Sequence, residues 1–163
     1  MRSRSLYARV KDDHGLSTRA AVAQGLAGVS AVLGTAARFR AAVEQGDIDA
    51  LGELLAPEVV FHSPVTFHPF VGRETVRSLL REVGLVFEDF RYTRELGGEG
   101  TQALIFAARV GDRELEGLDL LRFDERGLIV DFTVMLRPLS ALVPFAQAMA
   151  ERVAAAGLEE TRS

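Results

Sequence analysis

The sequence predicts an α+β fold in one domain, with helices first, then a curved antiparallel sheet, then a closing helix. Two patterns and a size argument predict it. Residues 90–137 hold four strand-like runs separated by Gly97-Gly98-Glu99-Gly100, Gly111-Asp112 and Asp124-Glu125-Arg126-Gly127, which is the pattern of an antiparallel meander. The preceding half places apolar residues three and four apart, as on one face of a helix. A chain of 163 residues that is 48% hydrophobic and 26% charged suits a single soluble domain with a real core rather than a disordered or fibrous protein.

Residues 1–28 carry five basic and two acidic side chains with no clear period, so the segment is expected to be a poorly ordered extension, or one that docks only in an oligomer. From Val29 the helical period begins, with Val32, Ala36, Phe39 and Val43 on one face. Gly46 ends that helix, and Asp47 is placed to cap a second one carrying Ile48, Leu51, Leu54 and Leu55. The second helix must stop before Pro57. Glu58 to Ser63 reads as a strand centred on Val59, Val60 and Phe61 and closed by Pro64.

Val65 to Val71, with Phe67, His68, Pro69 and Phe70, is unusually apolar for a loop and is expected to fold back over something. Gly72 opens a third helix with Val76, Leu79, Leu80 and Val83 at i, i+3, i+4, i+7, and Gly84 ends it. The first meander strand alternates, with Phe90, Tyr92, Arg94 and Leu96 on one face. Strands over 101–110, 113–123 and 128–137 follow and should pair as neighbours. Pro138 ends the sheet. A turn over Leu139 to Val143 then leads to a helix that starts at Pro144, where a missing amide is tolerated, and carries Ala146, Met149 and Val153. Residues 157–163 form a polar tail. No repeat or linker interrupts 29–156, which is read as one domain.

Several functions are disfavoured at once. A net charge of -4 offers no basic excess to displace counterions from nucleic acid. The absence of cysteine removes disulfides, thiolate nucleophiles and thiolate metal sites. No apolar run is read as reaching the roughly 18 residues of a membrane span, and the N-terminus is too polar for a secretory h-region, so a cytoplasmic location with no membrane partner is expected. His62 and His68 lack a third ligand at fitting spacing, so no metal is expected.

Asp119 stands out because it lies between Leu118 and Leu120 in the middle meander strand. Leu115, Gly117, Asp119, Leu121 and Phe123 share one face of that strand; Glu116, Leu118, Leu120 and Arg122 share the other. Asp119 is therefore either the working acid of a pocket or half of an ion pair with Arg109 or Arg137 in a neighbouring strand. Both faces are substantially apolar. The chain's own helices can cover one, and a second copy is the expected cover for the other, which predicts a homodimer through the sheet.

The element order, with RFRAAVEQGD at 38–47, EVVFHSPV at 58–65, GLDLLRF at 117–123 and GLIV at 127–130, resembles the nuclear-transport-factor-2-like superfamily and, within it, the SnoaL-like branch. The resemblance covers roughly residues 36–137. It implies a cone-shaped fold, a curved sheet wrapped around N-terminal helices with a C-terminal helix added, enclosing a pocket for a hydrophobic small molecule. Phe39, Phe61, Phe67 and Phe132 are candidates to line it. Ser63, at a strand end, is a candidate ligand contact or a turn-forming hydroxyl, and His68 is a candidate at the pocket mouth.

In ketosteroid isomerases of this fold the machinery is an aspartate base with a tyrosine and a protonated aspartate as oxyanion hole. Those positions fall on Ser63, Phe39 and Asp119 respectively, so only the protonated-acid position keeps its type, and ketosteroid isomerisation is disfavoured. Polyketide cyclases of the SnoaL type are similar in using a pocket aspartate as acid/base without metal or cofactor. The resemblance thus implies a cofactor-independent cyclase, isomerase or dehydratase with Asp119 as its acid/base. The alternative is a non-catalytic small-molecule-binding or dimerisation module, favoured if Asp119 is ion-paired.

Overall fold

In the computed structural model, which describes residues 14–158 apart from Glu99, six strands form one sheet in the order β2-β1-β6-β5-β4-β3. Along the chain the elements are α1 (His14–Gln45), α2 (Ile48–Leu54), β1 (Leu55–His62), β2 (Phe70–Val71) and α3 (Arg73–Gly84). There follow β3 (Glu88–Gly98), β4 (Thr101–Val110), β5 (Arg113–Phe123), β6 (Ile129–Arg137) and α4 (Leu139–Ala156). The last four strands form the expected antiparallel meander, but β1 joins it beside β6 in parallel. That pairing is open to β1 because the whole of α3 and β3 to β5 separates the two strands in sequence.

The local signals work as their chemistry requires. Gly46, at φ 66°, ends α1, and Asp47 accepts a hydrogen bond from the Ala50 amide at 3.0 Å to start α2. The helices cover one sheet face, and along most of β4 and β5 buried residues on that face alternate with half-exposed residues on the other. On β5 the buried set is Leu115, Gly117, Asp119, Leu121 and Phe123, the face the alternation assigned. Gly117 is needed there because Phe106, its cross-strand neighbour on β4, lays its ring over it: a Cβ on Gly117 would come within 2.1 to 2.6 Å of three ring atoms.

Other expectations are corrected. The poorly ordered extension over 1–28 gives way to helix from His14 onward; residues 1–13 lie outside the described residues. The helix runs on through Gly25 and Gly28, because isolated glycines weaken a helix without ending it. This longer helix also revises the membrane expectation: Ala20–Gln45 is long and apolar enough, by length and composition, to cross a bilayer. Its glycines and Gln24 had hidden the run.

β1 starts at Leu55, not Glu58, and takes Pro57 into an irregularity in its pairing with β6. The apolar loop contains the short strand β2, whose Phe70 is buried beside Phe61. On β3, the register shift between Tyr92 and Arg94 inverts parity, as a bulge must: Phe90 and Tyr92 face the helices, while Arg94 and Leu96 are exposed. α4 begins at Leu139 and runs through Pro144, because losing one amide bond near a helix start is outweighed by burying Ala141, Phe145 and Met149 along one face. Of the tail, Gly157 caps α4 and Leu158 packs partly against the core; residues 159–163 lie outside the described residues.

Gly117→Ala is expected to push the Phe106 ring out of place and to cost about 1–3 kcal/mol by overpacking, read as a lower midpoint in thermal or urea unfolding.

Candidate functional site

Between the four helices and the covered face of the sheet lies a cavity of about 290 Å³. α1 contributes Phe39 and Val43, α2 Ile48 and Leu51, α3 Leu79, Leu80 and Val83, and α4 Phe145, Met149 and Val153. The sheet side brings Phe61, Phe90, Phe106, Phe132, Val134 and Asp119, with Ser63, Pro64, Val65 and Thr66 from the segment after β1. Two aromatic clusters build the walls. Phe132 takes Phe39 and Phe61 edge-on, with centroids 5.4 and 5.1 Å away, whereas Phe87 stacks on Phe145 at 5.0 Å and Phe90 meets Phe106 at 4.8 Å. Edge-on and offset contacts suit ring quadrupoles and hold the walls firmly.

Into this apolar surround projects Asp119, the one ionisable group lining the cavity among the described residues and only 5% exposed. Both arginines considered as ion-pair partners are engaged elsewhere: Arg109 donates to Glu88 and Asp89, and Arg137 pairs with Glu116 at 3.2 Å. Asp119 instead accepts a hydrogen bond at Oδ2 from the Tyr92 hydroxyl, at 2.6 Å. Its other oxygen has no protein partner among the described residues. Burial pushes the carboxyl from its ordinary 3.8 up to about 7, even though the Tyr92 bond pulls the other way, because desolvation penalises the charged form. Burial and the neighbouring carboxylate raise Tyr92 well above the ordinary tyrosine range, so it remains a donor. The Arg40 guanidinium stands 5.9 Å from the Tyr92 ring centroid, within cation–π reach.

The pair can therefore do two things near neutral pH. Protonated, Asp119 is a hydrogen-bond donor or general acid; ionised, it is a base whose strength suits a carbon-bound or enolic proton.

Of the residues singled out from sequence, Phe39, Phe61, Ser63, Phe132 and Asp119 meet at this cavity. Phe67 does not: it is 97% exposed and borders a shallower depression with His62, Pro69 and Met135. His68 is exposed as well and does not line the cavity. Pro64 and Pro69 bracket their loop, which turns these two side chains outward while its first residues cover the cavity. Ser63 fills both roles suggested for it, since it lines the cavity while its Oγ accepts the Val65 amide at 3.2 Å. His62 faces away, with Nε2 3.4 Å from Asp131 Oδ2. Among the described residues no three histidine or carboxylate groups converge to hold a metal ion. Tyr92 was missed as a site residue; its only signal was its place beside Phe90 on the alternating strand.

The family model for the SnoaL-like domain matches residues 36–132. The chain belongs to that family. Among solved structures, this SnoaL-like chain is 40% identical to a steroid delta-isomerase from Pseudomonas aeruginosa, with 79% of this chain and 96% of that one covered at a TM-score of 0.74. It is 38% identical to a protein with a cystatin-like fold from Silicibacter pomeroyi, with 74% and 85% covered at 0.72. A nuclear-transport-factor-2-like protein of unknown function from Cytophaga hutchinsonii, 15% identical over 66% and 91% at 0.56, shares the fold. No curated protein matches the sequence.

The raised carboxyl makes a prediction about stability. The folded state holds its proton up to about 7 while the unfolded chain releases it near 3.8, so the contribution of Asp119 is present in full below pH 4 and is lost as pH rises through 7. The stability difference between wild type and Asp119→Asn should therefore shift against wild type by up to about 4 kcal/mol between pH 4 and pH 8, measured by urea unfolding of both proteins.

Proposed function

We propose that this SnoaL-like protein is a cofactor-independent enzyme that moves a proton on an uncharged, largely apolar carbonyl compound, in the manner of an isomerase, cyclase or dehydratase. The observation that carries this is Asp119: a buried carboxyl at an apolar cavity, unpaired with any arginine among the described residues and hydrogen-bonded only to Tyr92. Asp119 exchanges the proton, Tyr92 orients it, and the aromatic walls hold the substrate and exclude water. Ionised Asp119 takes the proton from carbon and, as the acid so formed, returns it elsewhere on the substrate. The 40% identity to a protein described as a steroid delta-isomerase supports the isomerase variant. Against the ketosteroid reaction in particular stand Ser63 where the base would be and Phe39 where the tyrosine would be.

A non-catalytic ligand-binding protein is the second reading, and one observation favours it: no second carboxylate or histidine among the described residues lines the cavity to share the proton work. The two separate under mutation. In the enzyme, Asp119→Asn lowers turnover by at least about 10²-fold and leaves ligand affinity within a few-fold. A library of apolar enones and ketones, followed by absorbance and isotope exchange, gives the readout. A base step gains rate as pH rises through about 7, and Tyr92→Phe, by removing a bond that favours the ionised form, moves that inflection upward. A ligand that binds tightly and undergoes no exchange would leave only the binding reading.

We also propose a homodimer through the uncovered sheet face, where Ile105, Leu118 and Leu120 are half-buried and Met135 is exposed in one copy. Light scattering at micromolar concentration is expected to give twice the chain mass, and Leu120→Arg to shift it toward monomer; a wild-type monomer would end this reading.

A further inference from the structure

The family match begins at residue 36, and the first half of α1 stands outside it. Residues 20–37 contain no charged side chain. Farther on, the helix buries Val32, Ala36 and Phe39 in the core, but Val22, Leu26, Val29 and Leu33 are 52% to 67% exposed. These four recur at spacings of four, three and four, the seam of a two-stranded coiled coil. At about 100° per residue the seam lies roughly a quarter turn from the face buried in the core, so the helix can serve both at once.

The helix in this segment also lacks visible support. A Cβ on Gly25, Gly28 or Gly34 would meet nothing within 4 Å, so no close contact calls for these glycines. Each weakens the helix relative to alanine. Helices of this length are marginal in water without a packing surface.

We propose that this part of α1 pairs with the same segment of a second copy, with Val22, Leu26, Val29 and Leu33 as the seam. A bilayer is the competing occupant, and length argues against it. From Val32 onward the helix contributes to the core, and Arg19 stands just before the uncharged run, which leaves residues 20–31 as the free apolar stretch, about 18 Å of helix at 1.5 Å per residue, against a hydrocarbon layer of about 30 Å. Lying flat on a membrane calls for a basic polar face to meet anionic headgroups, and an uncharged segment has none. A charged protein partner would likewise find nothing to pair with. An uncharged apolar stripe at heptad spacing is complementary to itself. Four seam residues per chain fall short of the roughly 1,000 Å² of a stable interface, so this contact is weak alone and concentration-dependent. It is separate from the sheet contact and does not depend on what the cavity binds.

Sedimentation velocity on the full chain over a concentration series tests it. Leu26→Glu/Leu33→Glu should raise the concentration needed for association at least tenfold, with the thermal midpoint of the domain retained, since neither leucine is part of the core. Gln24→Glu, exposed about half a turn from the seam, should behave as wild type, and Leu120→Arg in parallel separates loss of the sheet contact from loss of this one. Unchanged association in the double variant overturns the proposal, as does equal loss in Gln24→Glu or a wild type that stays monomeric throughout. Co-sedimentation of wild type, but not the double variant, with vesicles of mixed phosphatidylcholine and phosphatidylglycerol overturns it in favour of a bilayer.

Discussion

A carboxyl group buried among phenylalanines must be either neutral or well solvated by protein dipoles, and among the described residues Asp119 accepts one side-chain hydrogen bond, from the Tyr92 hydroxyl at 2.6 Å. That one bond sets much of what surrounds it. Tyr92 reaches Asp119 across β4, so β3, β4 and β5 must keep a register in which Tyr92 stands opposite Phe106 and Phe106 opposite Gly117. Gly117 has no side chain, and Phe106 can therefore lie flat beside the acid. The bulge after Tyr92 then releases the rest of β3 outward. An inward carboxyl is thus held by backbone register and one phenol, with no buried charge partner among the described residues.

The energetic consequence is a site that opposes its own ionisation. A guanidinium beside Asp119 would have held it charged at every physiological pH and made it a structural pair. A hydrogen bond from a neutral phenol compensates only part of the desolvation, leaving the acid poised near 7. A group whose two protonation states are close in energy is useful for moving protons, and it is also a source of instability above neutral pH. An anion in the cavity would meet a carboxylate, and no cation lines the cavity among the described residues.

Much of this was legible in the sequence, for reasons that can be stated residue by residue. The period-2 pattern of β5 put Asp119 on the same face as Leu115, Gly117 and Leu121, because side chains alternate regardless of what packs on them. The Gly46-Asp47 pair marked the joint between α1 and α2, because a left-handed residue and a carboxylate cap are local chemistry. Phe67 and His68 went wrong because a loop between prolines has no period from which direction can be read. Arg94 and Leu96 went wrong because a bulge shifts parity without leaving a mark in composition.

The sequence by itself determined the class of fold, the strand on which the acid lies and the face to which it points, since each follows from local periodicity and turn chemistry. Tertiary structure alone decided that Tyr92, and neither Arg109 nor Arg137, meets Asp119. Those three side chains were all within plausible reach along the chain, and the choice among them depends on register and bulges that form only when the strands pair. It also decided that α1 extends well before the domain: whether two glycines break a helix depends on what the helix packs against, and spacing within the segment does not contain that information.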